Sequence, residues 1–167
     1  ENDIHNFEEQ VLKIADLQLQ GFPKMFERKV DYYNDIQKKL NLLNVQASRV
    51  NGLRKELIKT EMRVRQKNKF FQRLSAIGDK IFPLRKELIK EISSHFSSDV
   101  DTFIKIHFTE NYHESLFNLR EEIKGLQGVA KILTLNTHAF TQTRMLLSEC
   151  WDKIKVAEKE RKKERAH

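Results

Sequence analysis

The chain has 167 residues, 33% of them charged, and its 31 Lys and Arg outnumber 24 Asp and Glu to give a formal net charge of +7. Five Gly and two Pro are too few for a β-rich fold that must turn often, while 39% hydrophobic residues with eleven Phe exceed what a disordered chain carries. A single Cys excludes an internal disulfide and a multi-Cys zinc site, and no apolar run approaches the ~18 residues of a membrane span.

What remains is an all-α class with wet helical faces. The positive charge admits nucleic acid, acidic protein or anionic membrane as partners. The plainer alternative is a solvated surface with a lysine surplus. The chain begins at Glu1 with no Met and no basic leader, and is expected to be a segment of a longer protein.

A first helix is expected over about 3–19, capped by Asn2 or Asp3 and striped by Ile4, Phe7, Val11 and Ile14. It is acidic, with Glu1, Asp3, Glu8, Glu9 and Asp16 against Lys13. Gly21-Phe22-Pro23 reads as its stop, Gly as C-terminal cap and Pro23 as the first turn of the next helix.

The next helix is expected over about 24–81 and organises the chain. Apolar residues recur in steps of three and four at Phe26, Val30, Tyr33, Ile36, Leu40, Leu43, Ala47, Val50, Leu53 and Leu57, then less regularly at Val64, Phe71, Leu74, Ile77 and Ile81. Unbroken, such a rod would be roughly 85 Å long, and other helices or a second chain would have to cover its stripe. Gly52 and Gly78 are weak points, each costing about 1 kcal/mol relative to Ala. Phe82 precedes Pro83 and is biased out of the helical region, so a break is expected there.

Shorter helices follow over about 84–96, with Leu84, Leu88, Ile92 and Phe96, and over about 99–108. The Ser93-Ser94 and Ser97-Ser98-Asp99 interruptions favour caps over helix interiors. Asn111 and Glu114 have capping-box spacing before a helix over about 112–135. Thr134 to Thr143 is ambiguous, with Thr137 a cap candidate for a last helix over about 138–162 that carries Phe140, Leu147, Trp151 and Ile154. The end is almost wholly charged and is expected to fray.

The phrase Leu-Arg-Lys-Glu-Leu-Ile-Lys at 53–59 recurs unchanged at 84–90, with a looser copy at 119–124. Offsets of 31 and 35 residues suit a helical repeat. A recurring amphipathic phrase is the simpler account.

Chemistry-bearing motifs are sparse. No Gly-rich phosphate loop and no His-Glu-x-x-His occurs. Glu110-x-x-His113 is half of a di-iron signature with no second pair. Cys150 has no His in helical register, and Glu121-Glu122 beside Lys124 reads as a solvated face. No catalytic, cofactor or metal residue is assigned, and no small-molecule substrate is expected.

The candidate surface is the basic stretch Arg54, Lys55, Lys59, Arg63, Arg65, Lys67, Lys69 and Arg73, facing only Glu56 and Glu61. Repeated cations along a rigid line suit phosphates. Phe70 and Phe71 lie among them, one expected in the core and the other a candidate stacking residue. The acidic first helix, folded over 54–73, would neutralise them.

Leu126, Ala130, Leu133, Arg144, Leu147, Trp151 and Ile154 resemble a bacterial family of charged α-helical repeats of unknown function, in which late Trp-x-x-Ile helices alternate with Phe-rich ones. That resemblance implies an all-α cytoplasmic protein and no reaction.

The expectation is therefore one all-α domain over 1–167, an elongated antiparallel bundle or coiled-coil hairpin with one very long central helix. Its expected role is a non-catalytic protein–protein interaction or scaffold module, with self-association or a protein partner. The alternative is RNA or DNA binding through the basic face at 54–73.

Overall fold

The computed structural model describes residues 9–10, 19, 21–108 and 115–166. Among the described residues every regular element is helical. A 3₁₀ turn at Lys24–Lys29 leads into α1 (Val30–Lys59), α2 (Val64–His107), α3 (Leu116–Ile132) and α4 (Thr137–Ala166). The expected first helix and the Asn111–Glu114 capping pair lie outside the described residues, apart from a helical Glu9 and Gln10.

The chain groups into two compact units, Glu1–Leu17 with Asn34–Ile89, and Gln18–Tyr33 with Lys90–His167. The division passes through the interiors of α1 and α2.

In the first unit, Leu43, Ala47 and Val50 of α1 are buried with Ile81 of α2, and Ile77, Phe82 and Leu88 pack against them. Arg85 donates from Nε to Asn44 Oδ1 at 2.7 Å. Farther along α1, Arg54 lies beside Gly78. Partners descend along α2 as they ascend along α1, so the two helices run antiparallel here.

That pairing corrects the expected helix over 24–81. The apolar stripe does not wait for another element to cover it. The chain reverses at 60–63 and the stripe of α1 closes on that of α2. Each large aliphatic side chain buried this way is worth about 1.5–3 kcal/mol, more than the few helical hydrogen bonds lost at the reversal. Local chemistry eases the stop. Thr60 donates both its N–H (3.0 Å) and its hydroxyl (2.7 Å) to the Glu56 carbonyl. Lys67 Nζ reaches back to the Ile58 carbonyl at 3.2 Å. Pro23 also differs from expectation: it precedes the 3₁₀ turn and its carbonyl accepts from Phe26 N at 2.9 Å.

The break expected at Pro83 does not occur. α2 runs through it for 44 residues. Pro83 is exposed, as is Asp79, whose carbonyl loses its donor, so that turn lies open to solvent. The helices expected over 84–96 and 99–108 are therefore one. Their serines and Asp99 are not caps, because the helix runs through them, and two of these residues find partners elsewhere. Ser93 Oγ accepts from Asn136 N at 2.9 Å. Asp99 accepts the Tyr33 hydroxyl at 2.5 Å and the Lys29 ammonium.

In the second unit, Phe26, Tyr33, Ile92, Phe96, Val100 and Phe103 are buried, with Tyr33 edge-on to Phe96. Ser115 caps α3 by accepting from Asn118 N at 3.1 Å. Asn136, not Thr137, caps α4 by accepting from Ala139 N at 2.7 Å. α3 and α4 pair antiparallel. Arg120 meets Glu158 at 3.4 Å, and Lys124 lies over the Trp151 ring at 5.9 Å. Gly21 does not act as a left-handed cap, since no described glycine has positive φ. Its backbone packs against that of Gly125.

Candidate functional site

The eight basic residues fall around one feature, the reversal at 60–63. Arg54, Lys55 and Lys59 lie on the last turns of α1, Arg63 in the connection, and Arg65, Lys67, Lys69 and Arg73 on the first turns of α2. The whole set belongs to the first unit. With Glu56 and Glu61 as the only acids between them, residues 54–73 hold six of the seven net positive charges of the chain.

Six of the eight are exposed; Arg54 and Lys67 are half-buried. The expected stripe position Leu53 is 56% exposed, and Arg54 takes the inward place instead. Its guanidinium lies where Gly78 has no side chain; a Cβ on Gly78 would stand 3.3 Å from it. Lys67 is engaged with the Ile58 carbonyl. Among the described residues, none of the eight forms an ion pair within 4.0 Å. The acidic first helix, expected as a neutralising cover, lies outside the described residues.

The placement works against α2. Its first turn has no acid and contains Arg65 and Lys67. Cations at the positive end of a helix dipole cost about 0.3–1 kcal/mol each. Helix stability alone would put Asp or Glu there.

The apolar residues near the reversal are also unusual. Ile58 is 65% and Val64 74% exposed, on either side of the connection. Phe70 is 44% exposed and Phe71 half-buried. Phe71 lines a shallow hollow on α2 with Gln72, Ser75 and Asp79.

Two features of the second unit were not anticipated from the sequence. The first is a knot in which the exposed Lys29 and the buried Tyr33 both meet the buried Asp99, with Tyr32 beside it donating to Glu91 at 2.9 Å. Burial, then the hydrogen bonds to Glu91 and Asp99, push Tyr32 and Tyr33 above the ordinary phenol range. Both hydroxyls therefore stay protonated and act as donors. The available signal was Asp99 itself, a carboxylate in helical register with Ile92, Phe96 and Phe103. The second is a cleft of about 320 Å³ between α3 and α4, floored by Ala130, Phe140 and Leu147 and rimmed by Gln127, Lys131 and Arg144. It offers no acid–base pair.

Cys150 is buried and free, and burial pushes its thiol up to about 11. A protonated thiol is a poor nucleophile. Among the described residues no group of three or more His, Cys, Asp or Glu is placed to hold a metal. Glu110 and His113 lie outside the described residues. No described helix is long and apolar enough to cross a membrane.

No family model, curated protein or solved structure matches the chain.

Proposed function

We propose that the chain is a non-catalytic helical interaction module whose working surface is the basic reversal at residues 54–73, docking on a phosphate-bearing polyanion. The supporting observation is the concentration of six of seven net charges on two converging helix ends. Two helical segments bring the cations to the place where α1 turns into α2, and phosphate contacts gain affinity by releasing counterions. The apolar stripe once expected to recruit a protein partner or a second copy is largely consumed by α1–α2 packing. That shifts the interaction from stripe to charge.

The test is anisotropy of a labelled single-stranded oligonucleotide at two salt concentrations. Four phosphate contacts predict a loss of about 50-fold between 50 and 200 mM salt. Replacing Lys55, Lys59, Arg65 and Lys69 by Gln should abolish the binding. Equal binding by that variant would refute the assignment to this surface.

A second reading, nucleic acid, has one observation behind it: the exposed ring of Phe70 lies among the cations, where a base can stack.

A further inference from the structure

The reversal is not only basic. The two residues that flank its connection, Ile58 and Val64, are among the most exposed large apolar side chains described. Leu53 and Phe70 lie within about 9 Å along their helices of these two positions, and are exposed as well. Outward aliphatic groups gain nothing against a phosphate backbone. They have no flat face on which a base can stack, and a nucleic-acid groove would leave them in water. A lipid interface accepts both kinds of group. Its headgroups meet the cations and its acyl boundary takes the aliphatic side chains.

We infer that the polyanion recognised by the basic reversal is an anionic lipid surface, with Ile58 and Val64 entering the interface and the surrounding lysines and arginines bound to headgroup phosphates. This inference rests on the polyanion reading above and names its partner.

The attachment is peripheral. A reversal of helical chain is compact, and its carbonyls Glu56 and Ile58 are already occupied by Thr60 and Lys67. Those two acceptors need no water when the end approaches the interface. Arg54 and Lys67 have long aliphatic stems, which suit the boundary between apolar and charged layers.

The experiment is co-sedimentation of the full chain with phosphatidylcholine vesicles, with and without phosphatidylserine, run beside the oligonucleotide titration. The expected result is sedimentation with phosphatidylserine vesicles only. The double substitution Ile58→Ser and Val64→Ser keeps every charge and alters only exposed side chains. It should weaken vesicle binding about tenfold and leave oligonucleotide binding unchanged. Val156→Ser, exposed on α4, should change neither. Vesicle binding indifferent to the double substitution overturns the inference, as does oligonucleotide binding without vesicle binding; either leaves the polyanion reading standing. Failure to bind vesicles and oligonucleotide alike removes both.

Discussion

Gly21 and Gly125 meet backbone to backbone, and a Cβ on either would overlap the other's carbonyl carbon at 2.8 Å. Backbone cannot swing aside as a side chain does, so Gly21→Ala or Gly125→Ala should each cost about 2–3 kcal/mol. Gly52 is the contrast, exposed within α1 with nothing within 4 Å of its missing Cβ. Gly52→Ala should gain about 0.5–1 kcal/mol from helix propensity, read as a rise of about 2 °C in Tm. If all three melt alike, the close approach is not there. Sequence alone marked Gly52 and Gly78 as weak points and Gly21 as a cap. It could not separate them, because what matters is the atom facing each glycine. Titration adds a second test. Cys150 moves from an ordinary 9.0 to about 11 by burial, and Tyr32 and Tyr33 shift upward too. The folded chain thus prefers the protonated forms. Their stabilisation is complete below pH about 9 and falls as pH rises toward about 11. The urea midpoint should therefore drop across that window, less so in Cys150→Ala, and a flat profile would count against the burial of these groups.

At the scale of elements, the apolar spacing was a faithful guide to faces as far as Val50 and a poor guide to ends, with the stripe positions Leu53 and Val64 exposed near the reversal. From Phe26 to Val50 every stripe residue is buried or half-buried. The reversal at 60–63 was invisible because it contains neither Gly nor Pro, and packing rather than a breaker sets it. The opposite error fell on Pro83, a strong local breaker that packing overrides. Ile81, Phe82 and Leu88 on either side are held against α1. Ser93 and Asp99 failed as caps for the same reason, since their partners Asn136, Lys29 and Tyr33 are distant in sequence. Pro83 is therefore a tolerated defect. Pro83→Ala restores the donor to the Asp79 carbonyl, which recovers part of the ~3 kcal/mol that an interior proline costs. The unfolded chain regains some entropy in exchange, so the net gain should be about 1–2 kcal/mol. A lower urea midpoint for Pro83→Ala would mean that the ring fills a needed place.

Charge is the property of the whole molecule that singles out the reversal. The cationic run was legible in the sequence because charge density is a local count. Its division between two helices was not, and neither was the inward turn of Arg54, which follows from the space left at Gly78. If binding followed net charge alone, any four cations would serve equally. Screening argues otherwise. At physiological salt the Debye length is about 8 Å, so only charges packed within that reach add their potentials. The end of α4 supplies a control, with Lys155, Lys159, Lys162 and Lys163 interleaved with Glu158, Glu160 and Glu164. Replacing those four lysines by Gln lowers the net charge as much as replacing Lys55, Lys59, Arg65 and Lys69. On a heparin column the reversal variant should elute far earlier than the wild type, and the α4 variant only slightly earlier. Taken singly, Arg65→Gln should raise Tm, since a cation in the first turn of α2 opposes the helix dipole by about 0.3–1 kcal/mol, whereas Lys59→Gln should lower it by a similar amount, since a cation in the last turn of α1 favours that dipole. Equal elution of the two variants would show that the reversal is merely where the surplus charge happens to sit.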